Sequence, residues 1–183
     1  MRVIAGKARS LPLKTIEGID TRPTTDRIKE TIFNVLQTEI VGSKFLDLFS
    51  GSGSIGIEAL SRGASKSYLV DSNRKAVTCI RENLAFTKLI DDASVMECDA
   101  ITAINKLSGV ELFDIVYMDP PYNLEHEKNV LQALQSSNII DNHTLIVIEA
   151  SLHTDFSYLN DLGYELVKEK RYKTNKHIFA HKK

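Results

Sequence analysis

The sequence predicts an α/β fold built on a mostly parallel sheet with helices on both faces. From Lys44 onward, short apolar segments typical of buried strands alternate with helical patterns. Strands joined by helices form parallel sheets through right-handed crossovers. A glycine-rich stretch follows the first strand and opens the first helix of this pattern. The 183 residues are enough for one domain with a substantial core.

The first 40 residues precede this alternation. Two short apolar runs around a basic turn predict a hairpin over residues 1–20. Pro23 and the neighbouring threonines are typical of a helix start. The apolar residues at 28, 32, 35 and 36 then follow the spacing of one helix face. We therefore expect a hairpin and helix extension over 1–40 and one compact domain over 41–183.

The elements of that domain follow in order along the chain. The predicted strands are Phe45–Phe49, Tyr68–Val70, Ser94–Glu97, Phe113–Met118 and Thr144–Ala150. The predicted helices are Ser54–Arg62, Asn73–Thr87, Ala100–Leu107 and Glu125–Ser136, with a short helix or turn at 154–162. A closing antiparallel pair is predicted over Tyr164–Tyr172 and His177–His181. No internal repeat or linker interrupts this series.

The glycine-rich stretch has the full G-x-G-x-x-G pattern, with Gly51, Gly53 and Gly56 between a strand and a helix. In such loops the first glycine permits a tight turn, the second lets a ligand approach the backbone, and the third packs helix on strand. Asp71 lies twenty residues after Gly51, at the end of the next strand. A carboxylate there is placed to accept hydrogen bonds from a ribose. The stretch therefore predicts a nucleoside-binding site.

These features do not distinguish NAD from S-adenosylmethionine as the ligand, since both would present an adenosine ribose to the acid after the second strand. Asp99, at the end of the third strand, is a candidate acceptor for an adenine amino group. Asp47 lies at the end of the first strand, where an unpaired buried acid is costly. We therefore expect Asp47 to face the ligand cavity or to bind loop amides.

The loop Asp119-Pro120-Pro121-Tyr122 favours methylation of an amine over hydride transfer. It follows a buried strand, and its prolines offer acceptors but no N–H donors. Asp119 and the Pro120 carbonyl can accept hydrogen bonds from an exocyclic amine, which frees the nitrogen lone pair for attack. Tyr122 can stack on a flat base. We find no histidine or lysine placed as the proton donor that a dehydrogenase needs.

Composition limits the remaining possibilities. No apolar run is long enough to span a bilayer and no apolar signal region begins the chain, so we expect a cytoplasmic protein. Cys79 and Cys98 are expected to be reduced. The five histidines are scattered and predict no metal site. The serines of the glycine loop have no general base paired with them. We therefore interpret them as polar loop residues and not as nucleophiles.

Charge is unevenly distributed. Residues 1–30 carry +3 and residues 163–183 carry +5, whereas 31–162 carry −9. Basic ends around an acidic centre can supply contacts to phosphates. We expect Lys7, Arg9, Lys14 and Lys170–Lys176 to make these phosphate contacts.

The sequence resembles the RsmD family of bacterial enzymes, which methylate the exocyclic amine of one guanine in 16S ribosomal RNA. The resemblance covers essentially the whole chain, in order. The segments that carry it are Val3–Arg9, Arg22–Arg27, Glu30–Asn34, Asp47–Gly53, Gly56–Ala59 and Asp119–Tyr122. It implies a Rossmann-like class I methyltransferase fold, with a seven-stranded mostly parallel sheet whose last strand is antiparallel. It also implies S-adenosylmethionine as cofactor, and ribosomal RNA of the small subunit as partner.

The resemblance and the residues together give a set of expected site residues. The expected catalytic residues are Asp119, Pro120 and Tyr122. The expected cofactor-binding residues are Asp47, Phe49, Ser50, Gly51, Gly53, Gly56, Asp71, Ser72, Asp99 and Ala100. The expected substrate-binding residues are Lys7, Arg9, Arg22, Thr24, Arg27, Pro121 and Lys173. We expect a monomer, since no exposed apolar patch is evident.

Three other functions fit parts of the sequence. Methyltransferases acting on adenine or on a protein glutamine share the Pro-Pro-Tyr loop, although Asp119 and the N-terminal segment favour guanine. A nicotinamide-dependent dehydrogenase would use the same glycine loop. An RNA-binding module without activity would have no need for both the glycine loop and the 119–122 loop.

Overall fold

The computed structural model describes residues 1–16, 26–121 and 126–183. Its strands are β1 (Lys44–Asp47), β2 (Lys66–Asp71), β3 (Ala93–Glu97), β4 (Ile115–Met118), β5 (Leu145–Ser151), β6 (Tyr164–Arg171) and β7 (Asn175–Lys182). Its helices are α1 (Asp26–Val35), α2 (Ser54–Ser61), α3 (Arg74–Thr87), α4 (Ala100–Leu107) and α5 (His126–Gln135). Two single turns of 3₁₀ helix lie at Ile90–Asp92 and Ser157–Leu159.

The seven strands form one sheet in the order β3-β2-β1-β4-β5-β7-β6. Strands β1 to β5 are parallel to one another, whereas β7 runs antiparallel to both β5 and β6. This confirms the predicted α/β fold with an antiparallel last strand. The order reverses at β1, so the loops after β1 and β4 open at a topological switch point, where such sheets bind ligands.

The two faces of the sheet carry separate apolar clusters. One cluster joins α1, α2 and α3 to the sheet, and the other joins α4 and α5 to the opposite face. Val3, Ala8 and Leu13 are buried in the first cluster together with Ile32 and Phe33 of α1. The described part of residues 1–40 therefore contributes to the core of the sheet domain.

Backbone pairing confirms a hairpin-like turn in the first residues. Val3 donates its amide to the Leu11 carbonyl at 3.0 Å, and Ser10 donates to the Val3 carbonyl at 2.8 Å. The turn packs against the end of α2. There the Ser61 carbonyl accepts the Lys7 amide, and the Ser61 hydroxyl accepts the Ala8 amide. A Cβ atom at Gly6 would lie 1.8 Å from the Ser61 carbonyl oxygen, so only glycine fits this approach.

A buried ion pair fastens this segment to the domain. Glu58 of α2 accepts the amides of Ile4 and Ala5 at 2.8 and 3.0 Å. The same carboxylate lies 3.2 Å from the ammonium of Lys29 and 2.8 Å from the guanidinium of Arg62. Lys29 and Glu58 are both fully buried. The spacing of apolar residues in α1 does not predict that Lys29 is buried. Its charge is compensated by Glu58, which comes from a different helix.

No helix in the described residues is long and apolar enough to cross a membrane. Both cysteines are free thiols in the structure. Cys79 is buried in α3, whereas Cys98 is only partly buried and lies at the rim of the cavity described next.

Candidate active site

A cavity of about 1160 Å³ opens at the carboxyl ends of the parallel strands. The loops after β1, β2, β3 and β4 form most of its wall, and residues of β5 and β7 close one side. The predicted nucleoside site and the predicted amine site therefore lie in one cavity. This volume is large enough for a nucleoside cofactor together with part of a substrate.

The glycine loop has the predicted position but a different division of roles. Gly51 has φ +52°, and a Cβ atom added there would meet no atom within 4 Å, so its backbone is open to a ligand. A Cβ at Gly53 would lie 3.1 Å from Leu69, and one at Gly56 would lie 2.8 Å from Leu69. The first glycine therefore permits ligand approach, and the second and third both pack α2 on β2. Approach of a ligand to the Gly53 backbone stays a prediction.

Asp71 ties the ends of two strands together. Its Oδ2 accepts the Gly51 amide at 2.9 Å and its Oδ1 accepts the Asn73 amide at 2.8 Å. Asn73 then caps α3 by accepting the amide of Lys75. These bonds fix the carboxylate at the cavity wall, where it retains lone pairs for a ribose diol.

Asp99 is the N-cap of α4, a role the sequence analysis did not assign. Its carboxylate accepts the Thr102 amide at 2.9 Å and the Thr102 hydroxyl at 2.6 Å. These bonds hold the pKa of Asp99 below its usual range. The signal was visible in the sequence, since an acid precedes the helix and a threonine follows three residues later. The exposed carboxylate still lines the cavity.

Asp47 lies at the base of the cavity and is almost completely buried. Burial raises its pKa to about 7, against the opposing effect of the Phe49 and Gly56 amides and the Ser50 hydroxyl. Its Oδ1 has no hydrogen-bond partner in the structure. Both expectations for Asp47 are therefore met, since it faces the cavity and lies beside loop amides.

Asp119 follows β4 and lies on the wall of the same cavity. Burial raises its pKa well above the usual range, and the charges of Glu149, Asp47 and Glu127 raise it further. Pro120 is buried and Pro121 is exposed, and both also line the cavity. Such a carboxylate holds a proton more tightly than an ordinary surface acid does.

A second buried carboxylate, Glu149 of β5, was missed by the sequence analysis. It accepts the Tyr117 hydroxyl at 2.9 Å, lies 3.1 Å from His177 Nε2, and accepts the side-chain amide of Asn175. Burial opposes its ionisation, but these bonds outweigh burial and hold the pKa of Glu149 below its usual range. The available signal was an acid inside the apolar segment Leu145–Ala150.

The cavity is strongly acidic. Among the described residues that line it, five are carboxylates and none is a lysine or arginine; the carboxylates are Asp47, Asp71, Asp99, Asp119 and Glu149. An acidic, partly buried wall attracts a cationic ligand and repels a pyrophosphate. The charge of the site therefore separates two cofactor classes that the glycine loop alone left open.

The structure brings most of the predicted site residues together. Those lining the cavity are Asp47, Phe49, Ser50, Gly51, Asp71, Ser72, Asp99, Ala100, Asp119, Pro120 and Pro121. Gly53 and Gly56 lie behind the cavity wall. Lys7, Arg9, Arg27 and Lys173 are exposed and are not among the described residues of that wall. Arg22, Thr24 and Tyr122 lie outside the described residues.

Comparison with known proteins extends across the whole chain. The profile of a family described as Conserved hypothetical protein 95 matches residues 1–181. The Bacillus subtilis protein YlbH, named provisionally as an rRNA methyltransferase, is 39% identical over 81% of this chain and 82% of its own. Ribosomal RNA small subunit methyltransferase D of Haemophilus influenzae is 34% identical over 93% of this chain and 88% of its own.

Solved structures show the same architecture. The Escherichia coli protein yhhF, described provisionally as a methyltransferase, superposes with a TM-score of 0.85 and 29% identity. The match covers 100% of this chain and 98% of that protein. The strand order and the antiparallel β7 agree with the fold expected of a class I methyltransferase.

Proposed function

Because the chain belongs to the family described as Conserved hypothetical protein 95, we propose that it methylates the exocyclic N2 amine of a guanine in 16S ribosomal RNA. The methyl donor is S-adenosylmethionine. The observation that carries this proposal is the location of Asp119 in the same acidic cavity as the glycine loop. The names of the relatives YlbH and methyltransferase D support ribosomal RNA as the substrate class.

The residues of the cavity fit S-adenosylmethionine in charge and in shape. Its sulfonium and ammonium outweigh its single carboxylate, so a wall whose described residues include five acids and no lysine or arginine favours it. The Asp71 carboxylate binds the ribose, the Gly51 backbone lies along the ligand, and Asp99 accepts from the adenine amine. When bound, the cofactor supplies an electrophilic methyl group. The pyrophosphate of NAD would face the same carboxylates, which makes a dehydrogenase the weaker alternative.

Asp119 and Pro120 prepare the amine for attack. The Asp119 carboxylate and the Pro120 carbonyl accept the two amine hydrogens, which draws the nitrogen lone pair out of conjugation with the base. The nitrogen would then form a bond to the methyl carbon that the bound cofactor would supply, and the bond from that carbon to sulfur would break. The proton released from nitrogen passes to Asp119, which accepts it as the ionised carboxylate. Holding nitrogen and methyl in line contributes much of the rate.

The target guanine must leave its stack to reach the cavity, and a loop nucleotide makes this least costly. Tyr122 is proposed to stack on the base. Lys7 and Arg9 are exposed on the N-terminal turn, and Arg27 and Lys173 are exposed elsewhere. These cations, with Arg22 and Thr24, are proposed to bind RNA phosphates around the target. We place the enzyme in the cytoplasm with the ribosome and expect it to act as a monomer, with residues 1–40 as an extension of the 41–183 domain.

Two other substrates remain as alternatives within the same chemistry, an adenine amine and a protein glutamine amide. Both would use the Asp119–Tyr122 loop. The similarity of this chain to a ribosomal RNA methyltransferase over 93% of its length favours RNA. A binding module without activity is disfavoured, since binding alone does not require both an open Gly51 and a half-buried Asp119 in one cavity.

The test is transfer of a labelled methyl group from S-adenosylmethionine to small ribosomal subunits that lack this modification. Wild type should label 16S rRNA. Asp119→Ala should bind the cofactor and transfer no label, whereas Asp92→Ala, a change at an exposed acid after α3, should transfer label as wild type does. Absence of label in RNA with the wild type would contradict the proposal.

A further inference from the structure

One side-chain carbonyl on the cavity wall has no hydrogen-bond partner. Asn175 is the first residue of β7, only 4% of its surface is exposed, and it lines the cavity. Its Oδ1 is buried and has no partner in the structure. Buried polar atoms are nearly always hydrogen-bonded, so an orphaned acceptor at a ligand cavity indicates a donor that arrives with the ligand.

The orientation of this amide is fixed by its neighbour. Asn175 donates its Nδ2 to Glu149 Oε1. An ionised carboxylate can only accept, so the nitrogen faces Glu149 and the carbonyl is the remaining group. Glu149 is itself held by Tyr117 and His177, and His177 Nδ1 lies 3.2 Å from the Tyr172 hydroxyl. The carbonyl of Asn175 is therefore a positioned acceptor.

Strand pairing brings this acceptor close to the proposed amine site. Met118, the last residue of β4, pairs with Ile148, so Asp119 and Glu149, the residues that follow this pair, lie beside each other at the carboxyl ends of the two strands. Asn175 pairs with Ser151 on the other side of β5 and bonds to Glu149. Asp119 and Asn175 thus lie on either side of the same carboxylate.

We propose that Asn175 Oδ1 accepts the N1–H of the target guanine and thereby selects guanine over adenine. This inference rests on the proposed function. The Watson–Crick edge of guanine carries N1–H next to its N2 amine, so two neighbouring donors need two neighbouring acceptors. Asp119 accepts from the amine and Asn175 accepts from N1–H. Adenine carries no hydrogen on N1. Its N1 lone pair would face the Asn175 carbonyl oxygen, and no hydrogen bond can form between two acceptors.

The test compares two bases at the same target position. 2-Aminopurine keeps the exocyclic amine but has an acceptor lone pair at N1. Subunits are reconstituted with guanine or 2-aminopurine at the position that wild type methylates, and kcat/KM is measured for each. Wild type should prefer guanine. Asn175→Ala should reduce the ratio of the two kcat/KM values by about tenfold to a hundredfold, because the carbonyl that rewards N1–H and repels the lone pair is gone.

Tyr172→Phe is the matched control. It removes a hydroxyl from the same network without touching the cavity wall, so the ratio should stay at the wild-type value. A structural role for Asn175 would lower both kcat/KM values equally and leave the ratio unchanged, which would overturn the inference. Equal use of both bases by wild type would overturn it too. If wild type methylates neither base, the proposed function fails first and this inference falls with it.

Discussion

The amide of Gly51 donates a 2.9 Å hydrogen bond to the carboxylate of Asp71, twenty residues further along the chain. This bond joins the loop after β1 to the end of β2. It sets the open backbone of Gly51 and the proposed ribose acceptor at a fixed separation before any ligand arrives. One carboxylate therefore shapes the loop and offers a contact to the cofactor.

Replacement of Asp71 should impair cofactor binding through both effects. Asp71→Ala removes the acceptor for the ribose and frees the Gly51 amide. We expect the Kd for S-adenosylmethionine to rise by about tenfold to a hundredfold, the range for loss of a hydrogen bond to a charged group. Isothermal titration calorimetry checks this. Asp91→Ala, at an exposed acid near β3, should leave the Kd unchanged, and an unchanged Kd in Asp71→Ala would refute the assignment.

The buried Asp47 should make stability depend on pH. Its pKa is about 7 in the folded chain, above the value of an exposed aspartate, so folding holds its proton. The contribution of Asp47 to stability therefore falls as pH rises from about 4 to about 7, by at most about 4 kcal/mol. Urea denaturation of the cofactor-free protein should show Asp47→Asn gaining stability relative to wild type across this range.

Asp99 should make stability depend on pH in the opposite direction. The hydrogen bonds from Thr102 lower the pKa of Asp99, so its contribution is present at neutral pH and is lost as pH falls through the lowered value. Asp99→Asn should therefore be less stable than wild type at neutral pH, and the deficit should shrink in acid. If both variants changed in the same direction with pH relative to wild type, one of the two assignments would be contradicted.

The Lys29–Glu58 pair should be sensitive to removal of one partner. Lys29→Met leaves the buried Glu58 carboxylate with less compensation and frees the Arg2 carbonyl, to which Lys29 donates at 2.6 Å. Breaking a buried pair typically costs about 3–5 kcal/mol, and a loss near the lower end is expected here because Arg62 remains. Lys14→Met, which breaks an exposed pair with Glu82, should leave the free energy of unfolding nearly unchanged.

Charge reversal on the N-terminal turn should separate RNA binding from cofactor binding. Lys7→Glu with Arg9→Glu should weaken binding to 16S rRNA and reduce the slope of log K against log salt, because two phosphate contacts are lost. The Kd for S-adenosylmethionine should not change. Filter binding across a salt series measures the first effect. Lys106→Glu, on α4 at the opposite face of the sheet, is the control. An equal loss of RNA affinity in both variants would contradict the proposed phosphate contacts of Lys7 and Arg9.

Local features of the site could be predicted from the sequence. The glycine loop and Asp119 follow strands, Asp47 and Asp71 are the last residues of strands, and the carboxyl ends of parallel strands lie at one edge of the sheet. That rule alone gathers the loop and the three acids, which lie up to 72 positions apart in the chain, into one cavity. The N-cap role of Asp99 could also have been predicted from the sequence, because Thr102 follows it by three residues at the start of a helix.

Features that depend on tertiary packing could not be predicted in this way. Asn175 and His177 reach Glu149 only through the antiparallel pairing of β5 and β7, which no short motif encodes. The packing role of Gly53 depends on Leu69 and Ile80, which come from β2 and α3. The burial of Lys29 likewise depends on Glu58 from another helix.

The most direct test of the central claim is the identity of the methylated nucleoside. Small subunits are incubated with the enzyme and labelled S-adenosylmethionine, and their RNA is digested to nucleosides for mass spectrometry. We predict that the label appears as N2-methylguanosine from a single 16S rRNA position, and that it is absent with Asp119→Ala. Label in N6-methyladenosine, or in ribosomal protein with none in RNA, would contradict the account.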